Sequence, residues 1–456
     1  MERDPLGQAP HVQSSLLGTF QTLFKAMSCP DRLKILLLNI RYFITGGSDR
    51  YLFNLQRLLE ARGHEVMVFS ANFEQNLPSP YSRYFADPPG HRSQAYYNEL
   101  ELSLSGRVRF SLNTIYSRAA KRKIKELIAH TRPDVAFAVA VQNYLSPSVL
   151  DGCREMGVPV VHRISDYGIM CGRYTFLRDG QVCELCYDSI YNAIRYACGG
   201  HDVSRAKALV RVAGILFWRY AGTYERSVNV FVTPSRFMKA RLVEWGYDQD
   251  TIVHIPTFVQ PIEDTGNTAS RGKRYMLYFG RVSSEKGILT LIKAFANLGD
   301  ASLELLIAGS SPTSYDEYLR EYVSSKGVSG VRFLGHLDRD ELVPLIRNAL
   351  FTVVPSTWYE NMPNAVLESF AASRPVIASR IGSIPETVEE GVDGFLFEPG
   401  DEVDLSRKMQ YLLAHPEHAH RMGKAGKIKA TKRYAPEQHY EALMRVFSAL
   451  LKSRYR

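Results

Sequence analysis

YMLYFGRVSSEKGILTLIKAFANL, Tyr275 to Leu298, reads as a buried strand, a short polar loop and an amphipathic helix. Tyr275–Phe279 is apolar throughout, as in a strand covered on both faces. From Gly287 the apolar residues recur at helical spacing. The same unit repeats downstream in "LELLIAG" with "YDEYLREYVSSKG", then in "VRFLG", "LFTVVPS", "PVIAS" and "GFLFEPG" with their intervening helices. Upstream, Gln260–Lys273 is a Pro-, Gly-, Thr- and Asn-containing linker, "QPIEDTGNTASRGK". Before that linker the alternation runs a first time, through "KILLLNI", "SDRYLFNLQRLLEARG", "HEVMVFS", "DVAFAVAV", "GVPVVHRI" and "NVFVTPS". Such alternation predicts an α/β fold of two Rossmann-like, doubly wound parallel sheets. Ligands of such sheets bind beyond the carboxyl ends of the strands, which places the site in the cleft where the sheets face each other.

The expected segments are an extension at 1–31, a first domain at 32–260 with a cysteine-rich insertion at 171–198, a linker at 261–273, a second domain at 274–435 and a terminal helix at 436–456. A chain of 456 residues exceeds one ordinary core and suits two domains of about 200 residues each. Apolar content of 45% and charged content of 23% are those of a soluble globular protein. "MERDPLGQAP" lacks a basic head and an apolar run, so no secretory leader is expected. Runs such as Ile35–Leu38 are far too short to span a bilayer. The cytoplasm is the expected compartment, with reduced cysteines.

The net charge of +9 is uneven: residues 1–250 carry 31 Lys and Arg against 23 Asp and Glu, residues 251–456 carry 25 against 24. The basic first half reads either as a contact for an anionic partner, such as a membrane surface, or as a solvated face. Nucleic acid is not expected, because no nucleic-acid motif accompanies the charge. Within the extension, Leu16, Leu17, Phe20, Leu23, Phe24 and Met27 form a short amphipathic stretch that docks on the protein or a membrane, or lies ahead of a true start at Met27.

Chemistry concentrates in "FGRVSSEKG", Phe279–Gly287, and in "PSTWYENMPNAVLESFAASRPVIASRIGSIPETVEEGVDGFLFEPGD", Pro355–Asp401. A helix opening at Pro363 would offer free N–H groups around Asn361, Met362 and Asn364 as an anion site. Glu360 precedes that terminus and Glu368 leans back toward it, so the two carboxylates can hold hydroxyls on either side of a phosphate. Arg281 and Lys286 lie beyond the first strand of the same domain, where two cations would neutralise a departing diphosphate. Each pair alone fits a solvated loop or an ordinary helix start; their joint spacing does not.

Glu360-x7-Glu368, the "GR…EKG" loop and "PVIAS…G…PE…G…DGFLF.PGD" resemble retaining GT-B glycosyltransferases of family 4, the glycosyl transferases group 1. The resemblance runs from about Arg32 to the end and is strongest over Tyr275–Asp401. It implies transfer of a sugar from a UDP- or GDP-sugar to a glycan or lipid-linked acceptor, with retention and with no metal required for catalysis. By the same resemblance, Arg281 and Lys286 bind the leaving diphosphate. Glu360 binds the donor sugar with the backbone of Asn361, Met362, Pro363 and Asn364. Glu368 binds the ribose, Gly46 and Gly47 of "ITGGSDR" close over the donor, and Arg332–Leu337 lies near the base. No protein nucleophile is implied; a donor phosphate oxygen takes the acceptor proton.

Many relatives carry His-Asp after a first-domain strand, whereas "VHRISDYGIMC" keeps Asp166 and has Ser165 in place of the histidine. That contact is either lost or supplied by His162. The resemblance also implies a terminal helix that braces the first domain. The stretches "SRAAKRKIKE" and "SRAKALVRVAGILFWRY" mix cations with apolar and aromatic residues, a composition that suits either an anionic membrane at the inner face or a plain amphipathic surface helix. Epimerase or phosphorylase chemistry on the same fold and a catalytically silent scaffold are the competing functions. A dinucleotide oxidoreductase is disfavoured, since no G-x-G-x-x-G follows either opening strand.

Cys171, Cys183, Cys186 and Cys198 are spaced C-x11-C-x2-C-x11-C. A thioredoxin-like reading fails for want of a surrounding βαβ unit. A closed tetrahedral zinc site is one reading; unliganded, partly buried thiols and disulfides are the others. On any of these readings the cluster shapes the acceptor side of the cleft and does not carry the reaction.

Overall fold

The structure, a computed structural model, describes residues 32–88, 92–93, 104–195, 205–263, 274–311 and 314–454. The amphipathic stretch before residue 28, Cys198 and most of the linker lie outside the described residues.

The first sheet is built from β1 (Lys34–Asn39), β2 (Glu65–Phe69), β3 (Val135–Ala140) and β4 (Val160–Arg163). After a two-stranded antiparallel hairpin of β5 (Leu177–Arg178) and β6 (Gln181–Val182), it is completed by β7 (Val230–Thr233) and β8 (Ile252–His254). Its order is β2-β1-β3-β4-β7-β8, every pair parallel. The second sheet takes β9 (Arg274–Phe279), β10 (Leu303–Ala308), β11 (Val331–Gly335), β12 (Thr352–Val354), β13 (Val376–Ser379) and β14 (Gly394–Phe397). Its order is β11-β10-β9-β12-β13-β14, again parallel.

The uninterrupted apolar strands follow from burial on both faces, because successive side chains point to opposite sides. In β1, Leu36 and Leu38 enter one core cluster, while Ile35 and Leu37 enter the other. In β9, Met276 and Tyr278 are separated in the same way from Tyr275, Leu277 and Phe279. Both sheets reverse direction beside their opening strand, between β1 and β3 and between β9 and β12. A crevice forms at such reversals, where neighbouring loops leave in opposite directions.

The helix Pro436–Arg454 packs on the first sheet rather than on the second domain that precedes it. Leu443, Phe447 and Leu450 share one stripe by their spacing and are buried in the β1–β3 cluster. Phe447 meets Phe137 of β3 with ring centroids 6.2 Å apart. The outgoing and returning strands of chain run side by side, Val259 N donating to the Tyr434 carbonyl at 2.9 Å. Emptying this contact by Phe447→Ala is expected to cost about 3–5 kcal/mol. Denaturant unfolding checks it, and a shift near zero would mean the helix does not brace the sheet.

Candidate active site

The loops leaving β9 and β12 are forced together by a glycine. Gly287 has a left-handed backbone, φ 67°, and a Cβ there would fall 1.8 Å from the Pro355 carbonyl oxygen. No other residue permits that approach. Thr357 N then donates to the Glu285 carbonyl at 2.9 Å, and Lys286, in the short 3-10 turn Ser284–Lys286, reaches across to the second loop.

Lys286 Nζ donates to Glu360 Oε1 at 2.6 Å, and Ser356 Oγ and Trp358 Nε1 donate to the same oxygen at 2.5 and 2.9 Å. Glu360 is only 5% exposed. Burial pushes its carboxyl up, but the Lys286 charge and the three hydrogen bonds outweigh it and hold the group below its ordinary value. The Glu360 backbone is clasped as well, its carbonyl accepting from Ser383 N at 2.9 Å. Gly382, at φ 58°, comes so near that a Cβ would lie 2.6 Å from that carbonyl oxygen.

The helix expected to open at Pro363 runs Asn364–Ala371, with Pro363 as the extended residue ahead of it. The ring fixes φ near −73°, but ψ is not helical, so the first-turn N–H groups start one residue later. Asn361 and Met362, assigned to the donor through their backbone, also use their side chains to join the domains. Asn361 Nδ2 donates to the Ile164 carbonyl at 2.9 Å and its Oδ1 accepts from Ser235 Oγ at 3.1 Å. Thr257 N approaches Met362 Sδ at 3.3 Å. Glu368, 7% exposed, accepts from Arg50 Nη1 of the first domain at 3.1 Å. Arg50 belongs to the Gly47–Ala61 helix, whose start faces the second domain: a Cβ on Gly47 would sit 3.2 Å from Asn364 Nδ2. Gly46, just before it, is extended and has open space around its Cα.

Arg281 lies at the rim of the same crevice, half exposed, its Nη2 paired with Glu285 Oε1 at 2.9 Å. Ser283 Oγ donates to that oxygen at 2.7 Å. The segment Arg332–Leu337 takes in most of the edge strand β11 and the two residues after it, two strands from β9. On the first-domain side, Asp166 accepts from Gly168 N at 2.8 Å. Burial raises its carboxyl, opposed by that N–H and by the Arg211 charge.

His162 does not serve the cleft. It is buried within β4, its Nδ1 donates to the Ala138 carbonyl at 3.1 Å, and its ring stacks on Tyr224 at 5.9 Å. Burial brings its pKa down to about 4, so it is a neutral core group. Ser165 Oγ instead donates to the Val139 carbonyl at 3.1 Å and accepts from Arg163 at 2.8 Å.

Arg163 was not singled out by its motif, although an arginine ending an apolar strand is itself a signal. It is 6% exposed, donates to Thr257 Oγ1 at 2.8 Å and lies over the Tyr51 ring at 4.0 Å. Tyr51 Oη donates to His439 Nε2 at 2.9 Å, while His439 Nδ1 donates to the Pro256 carbonyl at 2.7 Å. Burial brings His439 to about 4, so it stays neutral. This group joins the first helix, β4, the crossover and the terminal helix beneath the cleft.

Cys171 and Cys186 are buried and Cys183 half buried. Among the described residues no three His, Cys, Asp or Glu side chains assemble a metal site. The fourth cysteine, Cys198, lies outside the described residues.

Two doubly wound sheets with their strand ends facing across a cleft define the GT-B architecture. Residues 260–429 match the family model of glycosyl transferases group 1, and residues 46–257 match that of a glycosyl transferase 4-like domain. Each of the two sheets thus falls largely within a segment that matches a glycosyltransferase family model. Glycogen synthase of Mycobacterium tuberculosis is 33% identical over 162 residues, 35% of this chain and 39% of that protein. The match therefore spans about two fifths of that relative's length. Sucrose-phosphate synthase from Thermosynechococcus elongatus superposes with a TM-score of 0.64 at 20% identity, covering 94% of this chain and 98% of that one. Anabaena Alr3699/HepE, solved in complex with UDP, superposes at 0.62 and 16% identity, covering 91% of this chain and all of that one.

Because the folded Glu360 carboxyl titrates below its ordinary 4.5, its contribution to stability is complete above that value and lost as pH falls through the folded one. Wild type is therefore expected to lose its pH-dependent advantage over Glu360→Gln on acidification below about pH 4.5. Urea midpoints of the two proteins from pH 7 to pH 3 check this; a constant difference across that range contradicts it.

Proposed function

We propose that the chain transfers a sugar from a nucleoside-diphosphate sugar to an acceptor hydroxyl with retention of configuration. The observation that carries this reading is the buried Glu360 carboxylate paired with Lys286 at the mouth of the β9 and β12 loops. A fixed anion beside a fixed cation suits a donor whose sugar offers hydroxyls and whose leaving group gathers negative charge.

In this reading Lys286 and Arg281 stabilise the diphosphate as the bond from the anomeric carbon to its oxygen breaks, the electron pair leaving with the diphosphate. Glu360 orients the sugar hydroxyls, with the backbone of Asn361–Asn364 beside it. The acceptor oxygen bonds the anomeric carbon on the face the diphosphate leaves, and its proton passes to a diphosphate oxygen. Asp166 lines the acceptor side, and Gly46–Gly47 admits close approach of a phosphate to the backbone. Glu368 takes the ribose after Arg50 gives way.

UDP- and GDP-sugars are the proposed donors, and a glycan or lipid-linked saccharide the acceptor. The helices Leu104–Ile115 and Arg205–Tyr220 support an anionic membrane as the place of encounter. They expose Val108, Leu112, Leu209, Phe217 and Tyr220 among Arg107, Arg109, Arg205 and Arg219. No helix among the described residues is long and apolar enough to cross a membrane, so the proposed location is peripheral, at the inner face.

Incubation with a panel of UDP- and GDP-sugars, with and without lipid-linked acceptors, tests the reading. Glu360→Ala and Lys286→Ala are expected to lower transfer by roughly 100-fold or more while circular dichroism stays unchanged. Full turnover by either variant sinks the assignment, and a sugar 1-phosphate or epimerised product redirects it to phosphorylase or epimerase chemistry. Co-sedimentation with vesicles should rise with anionic lipid content; indifference to lipid charge removes the membrane from the proposal.

A further inference from the structure

The loop that carries Glu360 is gripped from the other domain by the cysteine-rich insertion. Tyr359, the residue before Glu360, crosses the cleft and packs with both the second-domain and the first-domain cores. Its ring lies 4.9 Å from Phe237 and 6.5 Å edge-on from Phe176. Its Oη donates to Glu184 Oε1 at 2.9 Å, and Arg241 Nη2 reaches the same oxygen at 3.1 Å. The Arg241 guanidinium also lies over the Phe237 and Tyr359 rings at 4.9 and 5.5 Å.

Glu184 sits between Cys183 and Cys186, just after the hairpin β5–β6 and directly ahead of the short helix Leu185–Asp188. Cys183 N closes that hairpin on the Phe176 carbonyl at 2.7 Å, and Tyr187 N caps the next turn on the Glu184 carbonyl at 2.8 Å. Tyr187 stacks on Phe176 with centroids 5.2 Å apart, anchoring the turn from beneath. Burial, then the bond to Glu184, pushes the Tyr359 phenol up to about 12, so it stays a neutral donor toward a charged acceptor, a stronger bond than one between neutral groups.

We infer that Glu184 and Tyr359 are positioning residues, through which the cysteine-rich insertion sets the place of the Glu360 carboxylate when the two domains meet. The insertion contributes to the reaction without touching the donor. Because Glu184 and Tyr359 stand on different domains, this second hold on the Glu360 loop, added to the one Lys286, Ser356 and Trp358 provide, exists only where the domains meet. A displacement of about 1 Å at such a group can cost on the order of 100-fold in rate. This inference rests on the proposed role of Glu360 in sugar transfer.

Hydrogen exchange of peptides covering 355–364, together with steady-state kinetics, tests it in Glu184→Ala, Glu184→Gln and Tyr359→Phe. Glu184→Ala and Tyr359→Phe are expected to raise exchange in that peptide about tenfold and to lower kcat about tenfold, with UDP affinity within about twofold of wild type. Glu184→Gln keeps the acceptor oxygen and should restore most of both. Unchanged exchange in Glu184→Ala overturns the inference whatever the kinetics show, as does a loss of UDP affinity with kcat preserved. Raised exchange in Glu184→Ala, found together with a wild type that turns over no nucleotide sugar, leaves the clasp standing and defeats the transfer reading instead.

Discussion

A carboxylate removed from water costs several kcal/mol unless its charge is answered, and Glu360 is answered from three directions at once. Lys286 comes from the loop after β9, Ser356 and Trp358 from its own loop, and all three meet one oxygen. That convergence requires the loops after β9 and β12 to touch. They touch because these strands flank the reversal of the sheet and because Gly287 has no side chain to hold them apart. The strand order, the glycine and the buried ion pair are therefore one constraint. If the loops separated, Lys286 and Glu360 would each have to return to water, and the site would lose its shape with its charge balance.

Among the described residues, polar contacts between the domains gather at the cleft, beside the aromatic packing of Tyr359 on Phe237 and Phe176. Arg50 with Glu368, Asn361 with Ile164 and Ser235, and Tyr359 with Glu184 each join a first-domain loop or helix to the segment 359–368. Glu386 adds a cap to the helix Arg236–Glu244, accepting from Arg236 N and Phe237 N. Partly exposed ion pairs and single hydrogen bonds are each worth about 1 kcal/mol or less. The buried cluster of Arg163, Tyr51 and His439 lies beside the two chain crossings and is built differently, with Arg163 Nη2, Tyr51 Oη and both His439 ring nitrogens bonded away from water.

Much of this architecture could be read in advance. Uninterrupted apolar strands alternating with amphipathic helices implied two parallel sheets, because only a sheet covered on both faces tolerates such strands. The spacing of Glu360 and Glu368 around Pro363 marked the crevice, and Arg281 with Lys286 marked the adjoining loop. The start of the helix was misplaced by one residue, since proline fixes φ but leaves ψ to the surroundings. His162 belongs to the core because a side chain in the middle of a buried strand goes where the packing has room. No local pattern reveals the role of Arg163, because its partners Thr257 and Tyr51 and the neighbouring His439 are scattered over hundreds of residues. The cysteines drew attention by their spacing, yet among the described residues it is the Glu184 between two of them that reaches the second domain.

Hydrophobic period and residue type are local properties of the chain, and they set the kind of fold and the side chains available at the cleft. Which of those side chains meet is settled only when distant segments pack. Arg50 and Glu368 are separated by 318 positions, Glu184 and Tyr359 by 175, and Tyr51 and His439 by 388. Their pairing depends on how two independently wound sheets are set face to face. That arrangement follows from the crossover at 255–263 and the returning helix Pro436–Arg454, and no short stretch of the chain encodes it.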